Sequence, residues 1–284
     1  MNPTAASSPD APRLIPRTTA PRSLRTLFAA TVTELFRRER RLALFGFALL
    51  ALLVPLALAG ALDERTLRGA NVWLKPMKFA LSLGLFALTT AWFVGHLLPA
   101  APRLRALDWI VWVLIGSASF ELAYIALQAG LGQGSHYNVG DPMHGALYGL
   151  MGLGATALTA TQPALAWLLL RHADPRRAPA YRLAVLIGLV LTFVLGASVG
   201  GLLSGLQPPE TAALPVIGWS LAGGDLRPAH FLGIHAQQAL PLVGLVVVVA
   251  GAKARSASRL VWAAAAAYGL LFVAALAWGL AGRL

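Results

Sequence analysis

The chain contains no cysteine among its 284 residues, and it has little charge for its length. Without thiols, disulfides, thiolate zinc sites, iron–sulfur clusters and covalently attached c-type haem are all excluded. Charged residues make up 12% of the chain, against about a quarter in a soluble domain, while 57% of the residues are hydrophobic. Together with a mean hydropathy of +0.68, this composition indicates a protein solvated by lipid.

Apolar segments long enough to cross a bilayer recur along the sequence. A membrane-spanning helix needs about 20 predominantly apolar residues. Seven segments meet this requirement, at 43–62, 76–98, 107–130, 142–171, 183–204, 226–252 and 259–281. The sequence therefore predicts an all-α integral membrane bundle of seven transmembrane helices over residues 43–284.

Residues 1–42 differ in composition from the rest of the chain. The first 25 or so are rich in Pro, Ala, Ser, Thr and Arg and lack an apolar face, so we expect a disordered basic arm. The stretch 24–42 is typical of an amphipathic helix lying at the membrane interface, with its arginines at anionic headgroups. Its apolar side is formed by Leu24, Leu27, Phe28, Val32 and Phe36.

The net charge of +12 follows a membrane-orientation pattern. Eight arginines precede residue 42, and most other basic residues fall in short connections between apolar segments. With a cytoplasmic N-terminus, 17 of the 23 Lys and Arg residues lie on the inner side and six on the outer side. We therefore predict a multi-pass protein of the bacterial inner membrane with a periplasmic C-terminus. The lipid bilayer is its expected partner, and nucleic acid is not.

Four of the six histidines fall on the predicted outer side: His136, His144, His230 and His235. Asp141 followed by Pro142 predicts a helix start, because Asp caps free N–H groups and Pro fits the first turn. His144, Tyr148 and Met151 then share one stripe of that helix. His230 and His235 lie about 140° apart on another helix, so they are not expected to ligate one metal together.

Glu121 is the most informative acid in the sequence. It shares a polar stripe with Ser117, Tyr124 and Gln128 inside a predicted membrane span. A carboxylate at that depth is costly, so we expect it to face an internal site and to have a partner. Lys78 is the expected partner of Glu121, in a pair with either a structural or a functional role.

A b-type haem, held without covalent attachment, is the first functional hypothesis. Such haem needs histidine ligands, an apolar slot and often basic groups for its propionates. His235 is the first expected ligand because it lies deepest on its helix, and His144 is the second. Lys75, Lys78 and Arg227 would face the propionates, while Glu121, Tyr124 and Tyr148 would line the slot. Haem handling, sensing or redox chemistry all fit this hypothesis.

Other functional classes stay open. A membrane-embedded zinc hydrolase would draw ligands from His136, His144, His230 and His235, with Glu121 or Asp141 as base, although the sequence has no H-E-x-x-H pair. A proton-coupled transporter or receptor for a small anionic or amphipathic ligand would suit the internal Glu121 and the helix prolines. A scaffold or assembly factor without a small ligand is a further functional alternative. A homodimer stays open as the oligomeric state. Glycines such as Gly149 and Gly196 indicate close helix packing.

Three strings resemble segments of a group of bacterial multi-pass membrane proteins that has no assigned activity. They are Trp73–Phe79 (WLKPMKF), Ser135–Asn138 (SHYN) and Gly223–Phe231 (GGDLRPAHF). The resemblance covers residues 70–250. It implies that these segments form one site, but it does not select haem, metal or another ligand.

Overall fold

Helices account for nearly all of the structure. The computed structural model describes residues 23–97, 104–173, 178–209, 214, 216–220 and 222–281, so residues 1–22 of the predicted basic arm lie outside it. The helices are α1 (Leu24–Arg38), α2 (Arg40–Ala51), α3 (Leu53–Leu62), α4 (Leu74–Val94), α5 (Arg105–Gly130), α6 (Pro142–His172), α7 (Pro179–Gly205), α8 (Arg227–Val249) and α9 (Ala254–Leu280).

Among the described residues, seven helical segments are long and apolar enough to span a membrane, with α2 and α3 together forming the first. The prediction of an all-α membrane protein with seven spans is therefore confirmed, and the apolar surfaces support association with a lipid bilayer. The segment predicted at 76–98 ends at Val94, and the one predicted at 226–252 ends at Val249. The cytoplasmic position of the N-terminus stays a prediction.

The first span is interrupted at Leu52, between α2 and α3. Pro55 lies in the first turn of α3, where its missing N–H costs no helical hydrogen bond. It has no N–H to bond the carbonyl of Ala51, so the hydrogen-bond ladder of α2 cannot continue unbroken through this point. The interruption explains why one apolar segment gives two helices.

The helix predicted over 24–42 ends at Arg38, because Glu39 adopts an extended conformation and begins α2. The guanidinium of Arg38 lies 3.8 Å from the Trp92 ring centroid and donates to the Trp92 carbonyl. This contact attaches α1 to α4. Leu24 and Phe28 are exposed, as expected for a helix whose apolar side meets lipid.

One end of the bundle carries the connections 63–73 and 131–141 and the described residues between α7 and α8, and we call it the hairpin end. It is named after the two-residue strands β1 (Thr66–Leu67) and β2 (Ala70–Asn71), which pair antiparallel. Arg68 and Gly69 both have positive φ, as a type I′ hairpin turn requires. The side-chain amide of Asn71 donates to the carbonyls of Gly60 and Asp63 and so joins the hairpin to α3.

Helices α7 and α8 form the most extensive helix pair of the bundle. At their crossing, a Cβ on Gly233 would lie 2.7 Å from the backbone nitrogen of Gly196. Only glycine permits this approach. The expectation that Gly196 lies in a close-packing surface is therefore confirmed, and Gly233 has the same role. The same expectation for Gly149 is wrong, because a Cβ there would meet no atom within 4 Å.

We predict that Gly233→Ala lowers the free energy of unfolding by about 1–3 kcal/mol, because the new methyl group must push α7 and α8 apart. Gly152→Ala is the matched control, since a Cβ at Gly152 meets no atom within 4 Å. It should change stability by less than about 1 kcal/mol. Thermal unfolding in detergent measures both, and equal effects would contradict the close-packing assignment.

Candidate functional site

Helix α5 carries three buried polar groups without a hydrogen-bond partner. Glu121, Tyr124 and Gln128 are each 5% exposed or less. Within the described part of the chain, the Glu121 Oε1, Tyr124 hydroxyl and Gln128 Oε1 atoms make no well-formed hydrogen bond, although the Tyr124 and Gln128 side chains interact with each other. Buried polar atoms are normally paired, and in a membrane no bulk water competes for them. These three atoms therefore mark a place where a polar molecule is expected.

Small and apolar residues surround this polar stripe. Gly154 of α6 lies beside the carboxylate, since a Cβ there would be in van der Waals contact with Glu121 Oε1 at 3.6 Å. Tyr124 packs with Met151 of α6 and Phe79 of α4. The carboxylate, phenol and amide of α5 thus lie among apolar walls from two neighbouring helices.

Lys75, rather than Lys78, is the cation that faces Glu121. The electrostatic partner of the Glu121 carboxylate is the Lys75 ammonium. Lys78 instead donates to the carbonyls of Val216 and Ile217, at 3.4 and 3.3 Å. The predicted Glu121–Lys78 pair is therefore wrong, because α4 begins at Leu74 with Lys75 turned toward α5 and Lys78 turned toward the 216–217 loop.

A cluster of aromatic rings closes the site at the hairpin end. The His136 ring centroid lies 6.1 Å from Phe79 and 5.7 Å from Tyr148, and Tyr137 lies 5.6 Å from Tyr148. The Tyr137 hydroxyl donates to the Leu203 carbonyl at 2.5 Å, and the Tyr148 hydroxyl donates to Ser204 at 3.0 Å. These bonds tie the 131–141 connection and α6 to the end of α7.

His136 lies half-buried beneath this cluster and is kept neutral. Burial lowers its pKa to about 3, and the positive charge of Lys75 contributes in the same direction. Its Nδ1 atom lies 3.3 Å from the Ser135 hydroxyl. The Nε2 atom is left to meet another group.

His144 lies with the cap of α6. The Asp141 carboxylate accepts from the backbone N–H groups of Met143 and His144, each at 3.0 Å, so the predicted cap is confirmed. The second carboxylate oxygen lies 2.5 Å from His144 Nδ1. Hydrogen bonds from the His144 backbone N–H and ring are the main reason that the pKa of Asp141 is lowered.

The two histidines of α8 have different neighbours. His230 Nδ1 donates to the Gly196 carbonyl at 3.1 Å, and its charge is within electrostatic range of His136. His235 packs its ring 4.2 Å from the centroid of Phe231, and its Nδ1 lies 3.3 Å from the Gln238 side chain. The predicted separation of these two rings around the helix is consistent with these contacts.

Arg227 is paired with the buried Asp225. The guanidinium donates to Asp225 at 2.7 Å, and the same carboxylate accepts from the backbone of Ser220 and Arg227. Burial by itself raises the pKa of Asp225, but the hydrogen bonds from Arg227 and the backbone outweigh it and lower the pKa. Most of the Arg227 charge is thereby offset locally.

The structure brings part of the predicted site together. We define the interior site as Lys75, Phe79, Glu121, Tyr124, Gln128, His136 and Tyr148. Five predicted residues have their hydrogen-bonding contacts elsewhere: Lys78, His144, Arg227, His230 and His235. Phe79 was not anticipated as a site residue, although its position one helical turn after Lys75 places it on the same face.

No zinc centre is supported by the described residues. Among them, no group of three or more His, Asp or Glu side chains is arranged to hold a metal ion. The ligand set His136, His144, His230 and His235 is therefore divided among different surroundings. Comparison with known proteins adds no assignment: no protein family, curated protein or solved structure matches the chain.

We predict that stability falls by about 2 kcal/mol between pH 7 and pH 5 through His136 alone. The unfolded chain binds a proton at this histidine near pH 6.5, whereas the folded pKa is about 3. Since the unfolded state takes up more protons, stability is lost as the pH falls through 6.5 and continues to fall toward 3. His136→Gln should reduce the pH dependence of thermal unfolding over this range, and unchanged pH dependence would contradict the half-buried neutral ring.

Proposed function

We propose that the protein binds a small organic anion that also carries hydrogen-bond donors, in the interior site, as a receptor or a proton-coupled transporter. The observation that carries the proposal is the set of unpaired atoms on α5: Glu121 Oε1, the Tyr124 hydroxyl and Gln128 Oε1. A ligand that satisfies them removes a large cost of burial.

The charges and polar atoms of the site define the ligand class. Lys75 provides a cation for a carboxylate or phosphate group. Glu121 and Gln128 offer acceptor oxygens that require N–H or O–H donors. Phe79 and Tyr148 supply ring faces and edges for an apolar body. An amphipathic anion with a hydroxyl or amino group meets all three requirements.

The proposal also uses the predicted orientation in a bacterial inner membrane. The excess of Lys and Arg around the opposite end of the bundle supports a cytoplasmic position for that end. The hairpin end and the interior site would then face the periplasm. An anionic ligand would reach Lys75 from that side, beneath the ring of His136.

Three aromatic probes test the ligand class: 4-hydroxybenzoate, benzoate and phenol. We expect 4-hydroxybenzoate to raise the melting temperature of the detergent-purified protein most, because it alone has both the anion and the donor. A probe at about 100 times its Kd stabilises the folded state by about 2.7 kcal/mol. Lys75→Met should weaken binding of both carboxylates about tenfold or more.

Gln128→Leu is a second variant, because it leaves the charges in place. It should remove the advantage of 4-hydroxybenzoate over benzoate and leave benzoate itself unchanged. Arg65→Met is the control, since Arg65 lies at the same end but pairs with Asp63 at 2.6 Å. Equal shifts with all three probes, or equal losses in Lys75→Met and Arg65→Met, would contradict the proposal.

A non-covalent b-type haem is the second candidate, and the histidine geometry favours it. Each of His136, His144, His230 and His235 has its Nδ1 atom close to a local partner, which leaves Nε2 for an iron. A metal-bound histidine usually has this arrangement, with one ring nitrogen on the metal and the other hydrogen-bonded to the protein. His144 and His235 are the ligands expected from the sequence, whereas His136 and His230 lie within electrostatic range of each other.

The haem candidate predicts a Soret band in the purified protein and sharp bands after reduction with dithionite. His136→Ala and His230→Ala, or His144→Ala and His235→Ala, should abolish these bands and so identify the ligand pair. Protein from haem-replete cells that is colourless would exclude haem. That result would leave the organic anion as the ligand class to pursue.

A further inference from the structure

An apolar groove lies on the outside of the bundle, between α3 and α4. Its volume is about 620 Å³, and it ends at the loop that contains Val216. The α4 side is a continuous stripe, since residues 74, 77, 78 and 81 share one helix face. The groove is lined by Leu53, Val54, Ala57, Leu58, Leu74, Met77, Lys78, Leu81 and Val216.

The groove faces the region that lipid occupies. Val54 and Leu58 are 65% and 59% exposed, and both belong to a membrane-spanning segment. From Leu74 to Leu81 the helix rises about 10 Å, against about 15 Å for one hydrocarbon leaflet. The groove therefore covers the depth of the outer part of one leaflet at the hairpin end.

Among the described residues that line the groove, Lys78 alone has a polar side chain; its apolar stem lines the groove, and its ammonium lies at the end, beside Val216 and Ile217. Its ammonium has three N–H donors, and two carbonyls of the 216–217 loop accept from it at 3.3–3.4 Å. No carboxylate of the described residues is within salt-bridge distance of it, and its charged neighbour is the like-charged Arg227. An exposed cation at membrane depth without an acidic partner is costly.

We propose that this groove is a binding site for an anionic phospholipid, with an acyl chain along the apolar lining and the headgroup phosphate at Lys78. The phosphate supplies the negative charge that Lys78 lacks, and the ammonium extends along its apolar stem to reach it. The site is separate from the interior site, because Lys75 faces Glu121 on the adjacent side of α4. The lipid-site proposal does not depend on whether the interior site binds an organic anion.

Native mass spectrometry of the full chain tests the lipid site, with dioleoylphosphatidylglycerol as the anionic probe and dioleoylphosphatidylcholine as the zwitterionic one. We expect the wild type to retain the anionic lipid about fivefold more than the zwitterionic one. Lys78→Gln should abolish this preference, and Lys78→Arg should keep it. Ala57→Trp, which fills the groove, should reduce binding of both lipids.

Two controls distinguish the groove from the rest of the surface. Leu270→Trp places the same indole side chain on α9, where Leu270 is 72% exposed, and should leave both lipids bound as in the wild type. Arg65→Gln removes another exposed cation at the hairpin end and should preserve the anionic preference. A preference that survives Lys78→Gln, or that Arg65→Gln lowers equally, would overturn the proposal. Normal stabilisation of Lys78→Gln by 4-hydroxybenzoate would show that the interior site is intact in that variant.

Discussion

The requirement that polar groups find partners inside a lipid-solvated protein constrains this structure more than any other. Most threonines and serines in the spans meet it locally by donating to a carbonyl three or four residues earlier, as Thr90 does to Phe86. Glu121 and Gln128 cannot use that solution, because their unpaired oxygens are acceptors and the helix already uses its N–H groups. The Tyr124 hydroxyl on the same helix has a single proton and interacts with Gln128, so at least one of the two oxygens requires a donor from outside the helix. This requirement makes the interior of the hairpin end a candidate binding site.

Helix α4 organises both proposed sites through its first two turns. Lys75 and Lys78 are three residues apart, so they point about 60° away from each other. That angle sends one ammonium to Glu121 and the other to the 216–217 loop. Between them, the helix separates a polar interior from an apolar groove. Two cations that look equivalent in the sequence thus have different surroundings, and the same helix faces a different kind of ligand on each side.

The sequence predicted the features that depend on local composition. Apolar run length located seven spans, and the Asp141-Pro142 pair located the start of α6 to the residue. The partner of Glu121 was not predictable, because choosing between Lys75 and Lys78 requires the rotation of α4 about its axis, which packing sets. The aromatic cluster that closes the site was equally unpredictable from the sequence. It depends on a positive φ at Tyr137 and on a tyrosine bond to Leu203, 66 residues further along the chain.

The packing of α7 against α8 bears on how the interior site can move. Gly196 and Gly233 bring these helices into backbone contact, and the carbonyl of Gly196 also accepts from His230. The end of α7 in turn accepts from Tyr137 and Tyr148. Because α7 contacts both the aromatic cluster that closes the site and His230, a displacement of α7 would move both together. On the α7 side, opening of the interior site therefore requires the Tyr137 and Tyr148 hydrogen bonds to break or α7 to move together with α8. Access at the hairpin end is thereby coupled to the Gly196–Gly233 contact deeper in the bundle.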